Sequence, residues 1–189
     1  MCALATAVLA ALAVSTLAPA AEPAPTEYEI KAAFIYNFAK YVEWPEDTGF
    51  DSGGVFIIGV LGDDPFGVLL DQIARSKTIG DKPIVIRRFE HFEDYTPCHI
   101  LFVAASEQDR LPAILETLAA SPVLLIGDTE GFARRGVAVN FVIEHSKVRF
   151  RVNPAAVARA GLKISSKLLR LATIITEETT DEADTGERD

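Results

Sequence analysis

Residues 55–61, Val55-Phe56-Ile57-Ile58-Gly59-Val60-Leu61, form an uninterrupted run without a polar side chain. A strand with one face in water alternates apolar and polar residues, whereas a strand that is covered on both faces is apolar throughout. The run therefore predicts a strand inside a sheet that has helices on both sides. It ends at Gly62-Asp63-Asp64-Pro65, which are residues typical of turns.

Further apolar runs follow at the spacing of alternating strands and helices. The predicted strands cover residues 83–89, 99–104 and 123–127, and the predicted helices cover residues 65–75 and 106–120. Pro65 would lie in the first turn of its helix, and Ser106 would be the N-cap of the other.

The pattern then becomes antiparallel. Segments 137–143 and 148–152 predict two strands joined by Glu144-His145-Ser146-Lys147, which is the signal of a β-hairpin. Asn153 is the predicted N-cap of a short helix, and a last helix is predicted over residues 165–175. The sequence therefore predicts an α/β fold: a single three-layer domain with a mostly parallel sheet, an antiparallel C-terminal hairpin and flanking helices.

A helix over residues 27–42 precedes these elements. Thr26 and Glu29 have the spacing of a capping box, and Pro45 disfavours the helical conformation in the residue before it. The residues expected to share the core-facing side are Ile30, Ala33, Phe34, Asn37, Phe38 and Tyr41. Asn37 would lie within this apolar stripe and bind a neighbouring backbone segment, because a buried amide without partners costs about 1–3 kcal/mol.

The same helix has more apolar surface than one face can cover. Either it is buried nearly all round, or part of it binds another molecule. Aromatic and cationic side chains on its other side are of the kind enriched at binding hot spots. The candidate residues for partner binding or a pocket are therefore Tyr36, Lys40, Trp44 and Pro45. The alternative is that Trp44 fills the core at the edge of the sheet.

Residues 1–21 have no charge and contain an apolar run, 3–14, that is shorter than the about 20 residues needed to span a bilayer. Ala18 and Ala20 fit an A-x-A cleavage site, so we expect a cleaved signal peptide and an exported protein. No basic residue precedes the apolar run, so we expect the true start further upstream. An uncleaved membrane anchor is the alternative.

The net charge of −9 is concentrated at the end of the chain. Residues 177–189 hold seven acidic residues and one arginine, which predicts a disordered acidic tail. The remainder is close to neutral and gives no basic patch for nucleic acid. Without Cys2, Cys98 is the single cysteine, so no internal disulfide forms, and its apolar surroundings predict burial.

Polar residues follow two of the predicted strands. Ligands of open α/β sheets gather beyond the carboxyl ends of the strands, so Asp63, Asp64, Asp128 and Thr129 are the candidates for a ligand cleft. The alternative is that these residues only form turns and cap helices.

The sequence contains no recognisable reaction machinery. It has no phosphate-binding loop, no H-E-x-x-H and no G-x-S-x-G motif, and the third strand ends without the Asp of a phosphoacceptor domain. His91, His99 and His145 are scattered. We therefore predict no enzyme, no cofactor and no metal site.

Two segments resemble the YfiR family of exported proteins. The first is Lys31-Ala32-Ala33-Phe34-Ile35-Tyr36-Asn37-Phe38-Ala39-Lys40-Tyr41-Val42-Glu43-Trp44-Pro45, and the second comprises residues 148–153 and 160–172. Between them, Gly127-Asp128, Gly131-Phe132 and Asn140-Phe141 also fit. The resemblance covers residues 27–175 and implies one YfiR-like domain. Its structural polar residues would be Asn37, Asn140 and Asn153.

This resemblance implies a periplasmic, non-enzymatic regulator that binds the periplasmic sensory part of an inner-membrane diguanylate cyclase, or another membrane sensor, and holds it inactive. The cellular level of cyclic-di-GMP and the formation of biofilm would then decrease. It also implies a homodimer and an outer-membrane, peptidoglycan-binding lipoprotein that sequesters the repressor. Well-studied members have paired cysteines, which the lone Cys98 does not match. The alternative function is a periplasmic small-molecule binding protein that uses the cleft at the strand ends.

Overall fold

The computed structural model describes residues 24–45 and 54–176. The predicted signal peptide, residues 1–21, and the predicted acidic tail, residues 177–189, lie outside the described residues. The helices and strands, in chain order, are α1 Glu27–Tyr41, β1 Val42–Glu43, β2 Phe56–Leu61, α2 Leu69–Ser76, β3 Thr78–Ile79, β4 Lys82–Phe89, β5 Ile100–Val103, α3 Leu111–Thr117, β6 Leu124–Gly127, β7 Val139–Glu144, β8 Lys147–Val152, α4 Pro154–Arg159, β9 Lys163–Ile164, α5 Ser166–Leu169 and β10 Thr173–Ile174.

Within the described residues, an eight-stranded sheet has the order β10-β8-β7-β6-β5-β2-β4-β3. Its centre is parallel: β2 pairs with β4 and β5, β5 with β6, and β6 with β7. The pairs β7–β8 and β3–β4 are antiparallel, and β10 is parallel to β8. The predicted mostly parallel sheet with an antiparallel C-terminal hairpin is therefore confirmed.

Helices cover both faces of this sheet, which confirms the three layers. The first face packs against side chains from four helices, including Phe38, Leu70, Val157 and Leu168. The second face packs against Leu111 and Ile114 of α3. β2 is buried along its whole length because it has a strand on each side and a helical layer on each face.

The predicted hairpin is also confirmed. His145 and Ser146 form its turn with φ angles of 50° and 59°. Two positive φ values in a two-residue loop are those of a type I′ turn, whose twist matches the twist of the flanking strands. His145 is exposed there, so it lies in solvent as its position in the turn predicted.

Two helices begin later than their patterns predicted. Pro65 lies in a turn, and α2 begins only at Leu69. Ser106 does not cap α3, which begins at Leu111. Instead, Ser106 Oγ accepts a hydrogen bond from the backbone N–H of Asp63 at 2.9 Å. The predicted starts are wrong because these turn residues fix the loops at the strand ends rather than the helix termini.

The predicted last helix is wrong beyond its first turn. α5 ends at Leu169, and Thr173 and Ile174 form β10 beside Arg151 and Val152 of β8. The β-branched residues favour a strand, and the pairing satisfies backbone groups on the outer edge of β8. The two-residue strands β1, β3 and β9 were not predicted, because strands this short give no periodic signal.

The capping box of α1 is confirmed. Thr26 Oγ1 accepts from the Glu29 N–H at 3.3 Å, and Glu29 Oε2 accepts from the Thr26 N–H at 2.5 Å. The hydrogen bond from the Thr26 backbone is the main reason why the pKa of Glu29 is lowered.

The predicted inward face of α1 is confirmed only in part: Phe38 is buried, and Ile30, Phe34 and Tyr41 are half-buried against the core. The buried residues of α1 are Lys31, Ala32, Ile35, Phe38 and Ala39. Ala33 is exposed, Asn37 is half-buried, and the Asn37 amide makes no hydrogen bond to a described residue. The buried part of α1 is therefore broader than predicted, and its most buried residues are centred about a third of a turn away from the predicted face. On that side Lys31 points inward to an acidic partner.

Candidate partner-binding surface

The residues predicted to form one ligand cleft are divided between separate places. Asp63 and Asp64 line a cavity of about 440 Å³ beside the ends of β2 and β4. Arg88 Nε binds Asp64 Oδ2 at 2.7 Å, and Arg88 Nη2 binds Asp71 Oδ2 at 2.7 Å. The hydrogen bond to Asp71 contributes most, and together with the bond to Asp64 it raises the pKa of Arg88. Asp64 is therefore already neutralised by a neighbouring cation.

Asp128 lies beyond the end of β6 and lines a different cavity, of about 230 Å³. Its Oδ2 accepts from Lys31 Nζ at 2.7 Å and from Tyr28 Oη at 3.1 Å. Burial lowers the pKa of Lys31, but hydrogen bonds to Asp128 and Glu27 outweigh it, so the pKa is raised. Burial and the Asp128 charge raise the pKa of Tyr28. Asp128 thus ties α1 to the sheet.

Thr129 and Asn140 lie side by side next to the end of β6. Asn140 is 1% exposed, and its Nδ2 donates to the Thr129 carbonyl at 2.9 Å. Asn140 Oδ1 and Thr129 Oγ1 are buried without a hydrogen-bond partner among the described residues. Asn140 also lines a cavity of about 120 Å³ together with Arg151 and Glu130.

Asn153 has a clear structural position. Its Oδ1 accepts from the Ala156 N–H at 3.0 Å, which caps α4, and its Nδ2 donates to the Ala133 carbonyl at 2.8 Å. One fully buried side chain therefore fixes both the helix start and the β6–β7 connection.

The predicted corner residues lie at the end of α1. Trp44 is half-buried, donates from Nε1 to the His99 carbonyl at 3.2 Å, and packs edge-on against Phe56. Lys40 is exposed and lies 5.5 Å from the ring of Tyr36. Trp44 thus faces the sheet, in agreement with the alternative that it fills the core at the sheet edge. Lys40 and Pro45 are exposed.

A two-stranded antiparallel sheet joins this corner to the C-terminal part of the domain. Val42 pairs with Ile164 and Glu43 pairs with Lys163. The Ser165 N–H also donates to the Tyr41 carbonyl at 2.9 Å. The corner and β9 are therefore parts of one continuous surface.

An apolar groove lies on the other side of β9. Its volume is about 320 Å³, and the residues that line it are Val152, Pro154, Val157, Ala158, Leu162, Ile164, Leu169 and Ile174. We call this site the C-terminal groove. Leu169 and Ile174 in its wall are 36% and 50% exposed, and the adjacent Leu171 is 62% exposed. Exposed apolar side chains that cluster in this way mark interaction sites.

The cysteine and histidine nearest the apolar strands are buried within the described part of the chain. Burial raises the pKa of the Cys98 thiol to about 12, and the residue is fully buried, as predicted. His99 is buried, and its Nδ1 accepts the Ile57 N–H at 3.0 Å. In residues 24–45 and 54–176, no three His, Cys, Asp or Glu side chains are grouped to hold a metal, and no helix is long and apolar enough to span a membrane.

A family model described as YfiR/HmsC-like matches residues 28–173. The chain belongs to the YfiR/HmsC-like family. Proteins of this family are periplasmic regulators of cyclic-di-GMP signalling, of a generally non-enzymatic kind. The comparison with curated proteins finds no match.

Two solved structures are similar to this YfiR/HmsC-like chain. A conserved domain protein of Vibrio cholerae O1 biovar El Tor matches 80% of the chain with a TM-score of 0.53 and 12% identity, and the chain spans 60% of that protein. An ABC domain in complex with L-Trp from Streptococcus pneumoniae matches 66% of the chain with a TM-score of 0.48 and 10% identity, with 56% of that chain covered. At this identity the first likeness concerns the fold alone.

Sequence reasoning missed the C-terminal groove of this YfiR/HmsC-like domain. Leu169 and Leu171 were assigned to a continuous helix, whose apolar residues would face the core. The available signal was Thr173-Ile174-Ile175, a β-branched run directly after Leu171 and Ala172. Because that run forms an edge strand, the helix stops after one turn, and Leu169 and Leu171 remain at the surface whereas Leu168 is buried.

Proposed function

We propose that this protein is exported with a cleaved signal peptide and represses an inner-membrane diguanylate cyclase by binding the cyclase's periplasmic sensory part. The C-terminal groove is the observation that supports this proposal. It combines exposed leucine and isoleucine side chains with a lining that has no polar side chain. Such a surface gains free energy when a protein partner covers it. Family membership supports the class of partner.

The proposed contact surface extends from the groove to the corner. Ile164 lines the groove and pairs with Val42, which directly follows α1. Tyr36, Lys40, Trp44 and Pro45 would form its second part. Lys40 is the suitable residue to change, because it is exposed and forms no ion pair with a described residue.

The experiment removes the gene from its host and measures cyclic-di-GMP. We expect the level to rise, and to fall again when the wild-type gene is restored. A variant with Leu169→Asp should not restore it, although the purified variant stays folded by circular dichroism. An unchanged cyclic-di-GMP level after deletion, together with no complex between the purified protein and the cyclase's periplasmic part, would refute the proposed function.

The corner is tested separately with Lys40→Glu and Trp44→Ala, in protein shown to stay folded. We expect weaker capture of the cyclase's periplasmic part by both. Unchanged capture would restrict the contact surface to the groove.

We further propose a homodimer and release of the repressor by an outer-membrane, peptidoglycan-binding lipoprotein. Family resemblance supports both. Light scattering of the purified protein tests the first, and competition between lipoprotein and cyclase for the repressor tests the second. A monomer at all concentrations, or simultaneous binding of both partners, would contradict them.

A second candidate function is the binding of a small molecule beside the end of β6. Asn140 Oδ1 and Thr129 Oγ1 support it, because buried polar atoms normally have a hydrogen-bond partner. A ligand with a hydroxyl or amino donor for Asn140 would fit the chemistry of the site, and a ligand carboxylate would have to share Arg151 with Glu144, which lies 3.3 Å from it. A thermal shift with small hydroxy acids and amino acids tests it. The midpoint should rise by several degrees with one of them, and not in an Asn140→Leu variant.

A further inference from the structure

The chain that forms the C-terminal groove has a charge opposite to that of the whole protein. Residues 154–176 contain four basic residues, Arg159, Lys163, Lys167 and Arg170, and no acidic one, whereas the net charge of the chain is −9. This segment supplies six of the eight groove residues from α4, the following turn, β9 and α5, and a seventh from β10. The segment that forms most of this apolar groove is therefore basic, with each of Lys163 and Arg170 directly next to a groove residue in sequence.

Three of these cations are available to a partner. Lys163, Lys167 and Arg170 are exposed, and none of them forms an ion pair with a described residue. Lys163 has Glu43 as its cross-strand neighbour, and Lys167 lies 5.9 Å from the ring centroid of Tyr41. Carboxylates placed around the groove would therefore meet unpaired cations, and complementary charges of this kind orient a partner and favour it over others.

Three other occupants fit the groove less well: the acidic C-terminal segment of the same chain, a second copy of the protein and a lipid bilayer. The acidic segment 177–189 has the right charge, but it contains no large apolar side chain to enter the groove. A second copy bound through the same face would bring like charges together, because a two-fold contact is self-complementary. A bilayer surface favours a projecting apolar face, whereas this lining forms an open, concave groove of about 320 Å³.

We infer that the C-terminal groove binds an amphipathic helical segment of the partner, whose aliphatic side chains enter the groove while its flanking carboxylates face Lys163, Lys167 and Arg170. This inference rests on the proposed function, because the segment belongs to the periplasmic part of the membrane signalling protein. Helices that lay an apolar face into a groove bind through residues at positions i, i+3, i+4 and i+7.

The experiment uses designed fluorescent peptides as probes and the mature chain as receptor. One peptide of about 18 residues has leucines at the helical spacing and glutamates beside them. Two matched peptides replace glutamate by lysine or leucine by alanine. In fluorescence anisotropy, we expect the Leu/Glu peptide to bind at least about tenfold more tightly than either matched peptide.

Variants locate the site. Leu169→Asp and Ile174→Asp should each weaken binding of the Leu/Glu peptide at least about tenfold, the size of a hot-spot loss. The control is Ile143→Asp, because Ile143 is also an exposed apolar residue, at 51%, but does not line the groove. The triple change Lys163→Glu, Lys167→Glu and Arg170→Glu should reverse the preference towards the Leu/Lys peptide.

Several results would overturn the inference. The first two are equal affinity for the three peptides and an affinity for the Leu/Glu peptide that Leu169→Asp does not change. Binding of the Leu/Glu peptide only after residues 177–189 are removed would show that this segment occupies the groove. Binding to phosphatidylglycerol vesicles with no peptide binding, or a dimer that Leu169→Asp dissociates, would identify a membrane or a second copy as the occupant. The proposed function fails by a different result. If the protein lowers cyclic-di-GMP and Leu169→Asp still does so, the groove inference fails while the regulatory function stands.

Discussion

Lys31 Nζ lies 2.7 Å from Asp128 Oδ2, and this ion pair joins the first helix to the loop after β6, 97 residues further along the chain. The side chains are 4% and 10% exposed. Glu27 adds a second carboxylate to Lys31, one turn earlier on the helix. The contact ties one side of α1 to the sheet.

Asp128→Asn should therefore destabilise the protein strongly. It leaves the Lys31 charge buried with only the half-exposed Glu27 as partner, and breaking a buried pair on one side costs about 2–4 kcal/mol here. Urea unfolding at pH 7 measures the loss. The double variant Lys31→Met, Asp128→Asn should recover part of it, because no buried charge remains. An unfolding free energy equal to wild type in the single variant would contradict this.

Asn153→Ala should cost about 2–4 kcal/mol, since it removes the α4 cap and leaves the Ala133 carbonyl without its donor. Asn37→Ala is the matched control. The Asn37 amide has no hydrogen bond to a described residue, so its loss should change stability by less than about 0.5 kcal/mol. Equal effects in the two variants would show that the amide contacts of Asn153 are not stabilising.

Stability should fall above pH 9 because of Cys98. Burial raises the pKa of this thiol to about 12 from an ordinary value near 9, and burial also raises the pKa of Tyr95 beside it. In that pH window the unfolded chain has released a proton that the folded chain still holds, so the free energy of unfolding decreases as pH rises. Below pH 9 the thiol is protonated in both the folded and the unfolded chain, so the contribution of Cys98 to the free energy of unfolding is fully present.

Urea unfolding between pH 8 and pH 11 checks this slope, which should be shallower for Cys98→Val. Iodoacetamide at pH 8 provides an independent measurement, because a thiol is alkylated as its thiolate. Native protein should react far more slowly than protein in urea. Rapid alkylation of the native form would show that Cys98 is accessible and ionised.

Gly59→Ala should destabilise the sheet by about 1–3 kcal/mol through overpacking. A Cβ at this position would lie 2.9 Å from Leu101 Cδ1 and 3.1 Å from Cys98 Sγ. Because Leu101→Val removes the nearest methyl group, the double variant should lose less than the sum of the two single changes. Additive losses in thermal or urea unfolding would mean that the clash with the Leu101 methyl group is not the source of the cost.

The prediction of the candidate site was less complete than that of the fold. Asp63, Asp64 and Asp128 were correctly expected beyond strand ends, but the sequence gives no distances, so it did not indicate that Arg88 and Lys31 already bind two of them. Likewise, the aromatic character of Trp44 was visible, but not the hydrogen bond that turns it towards His99. These are long-range pairings, which no local pattern specifies.

Local chemistry was sufficient for the sheet, the hairpin turn and the caps at Thr26 and Asn153, because apolar periodicity and capping hydrogen bonds are specified by residues close in sequence. The expected cap at Ser106 failed because its hydroxyl accepts from the distant Asp63 N–H instead. The tertiary structure alone decided how much of α1 is buried and the exposure of Leu169, Leu171 and Ile174. An ion pair across 97 residues holds Lys31 inward, and pairing of Thr173 and Ile174 with the sheet edge accompanies the early end of α5. Both depend on free energies gained between distant segments, which become available only once the chain has folded.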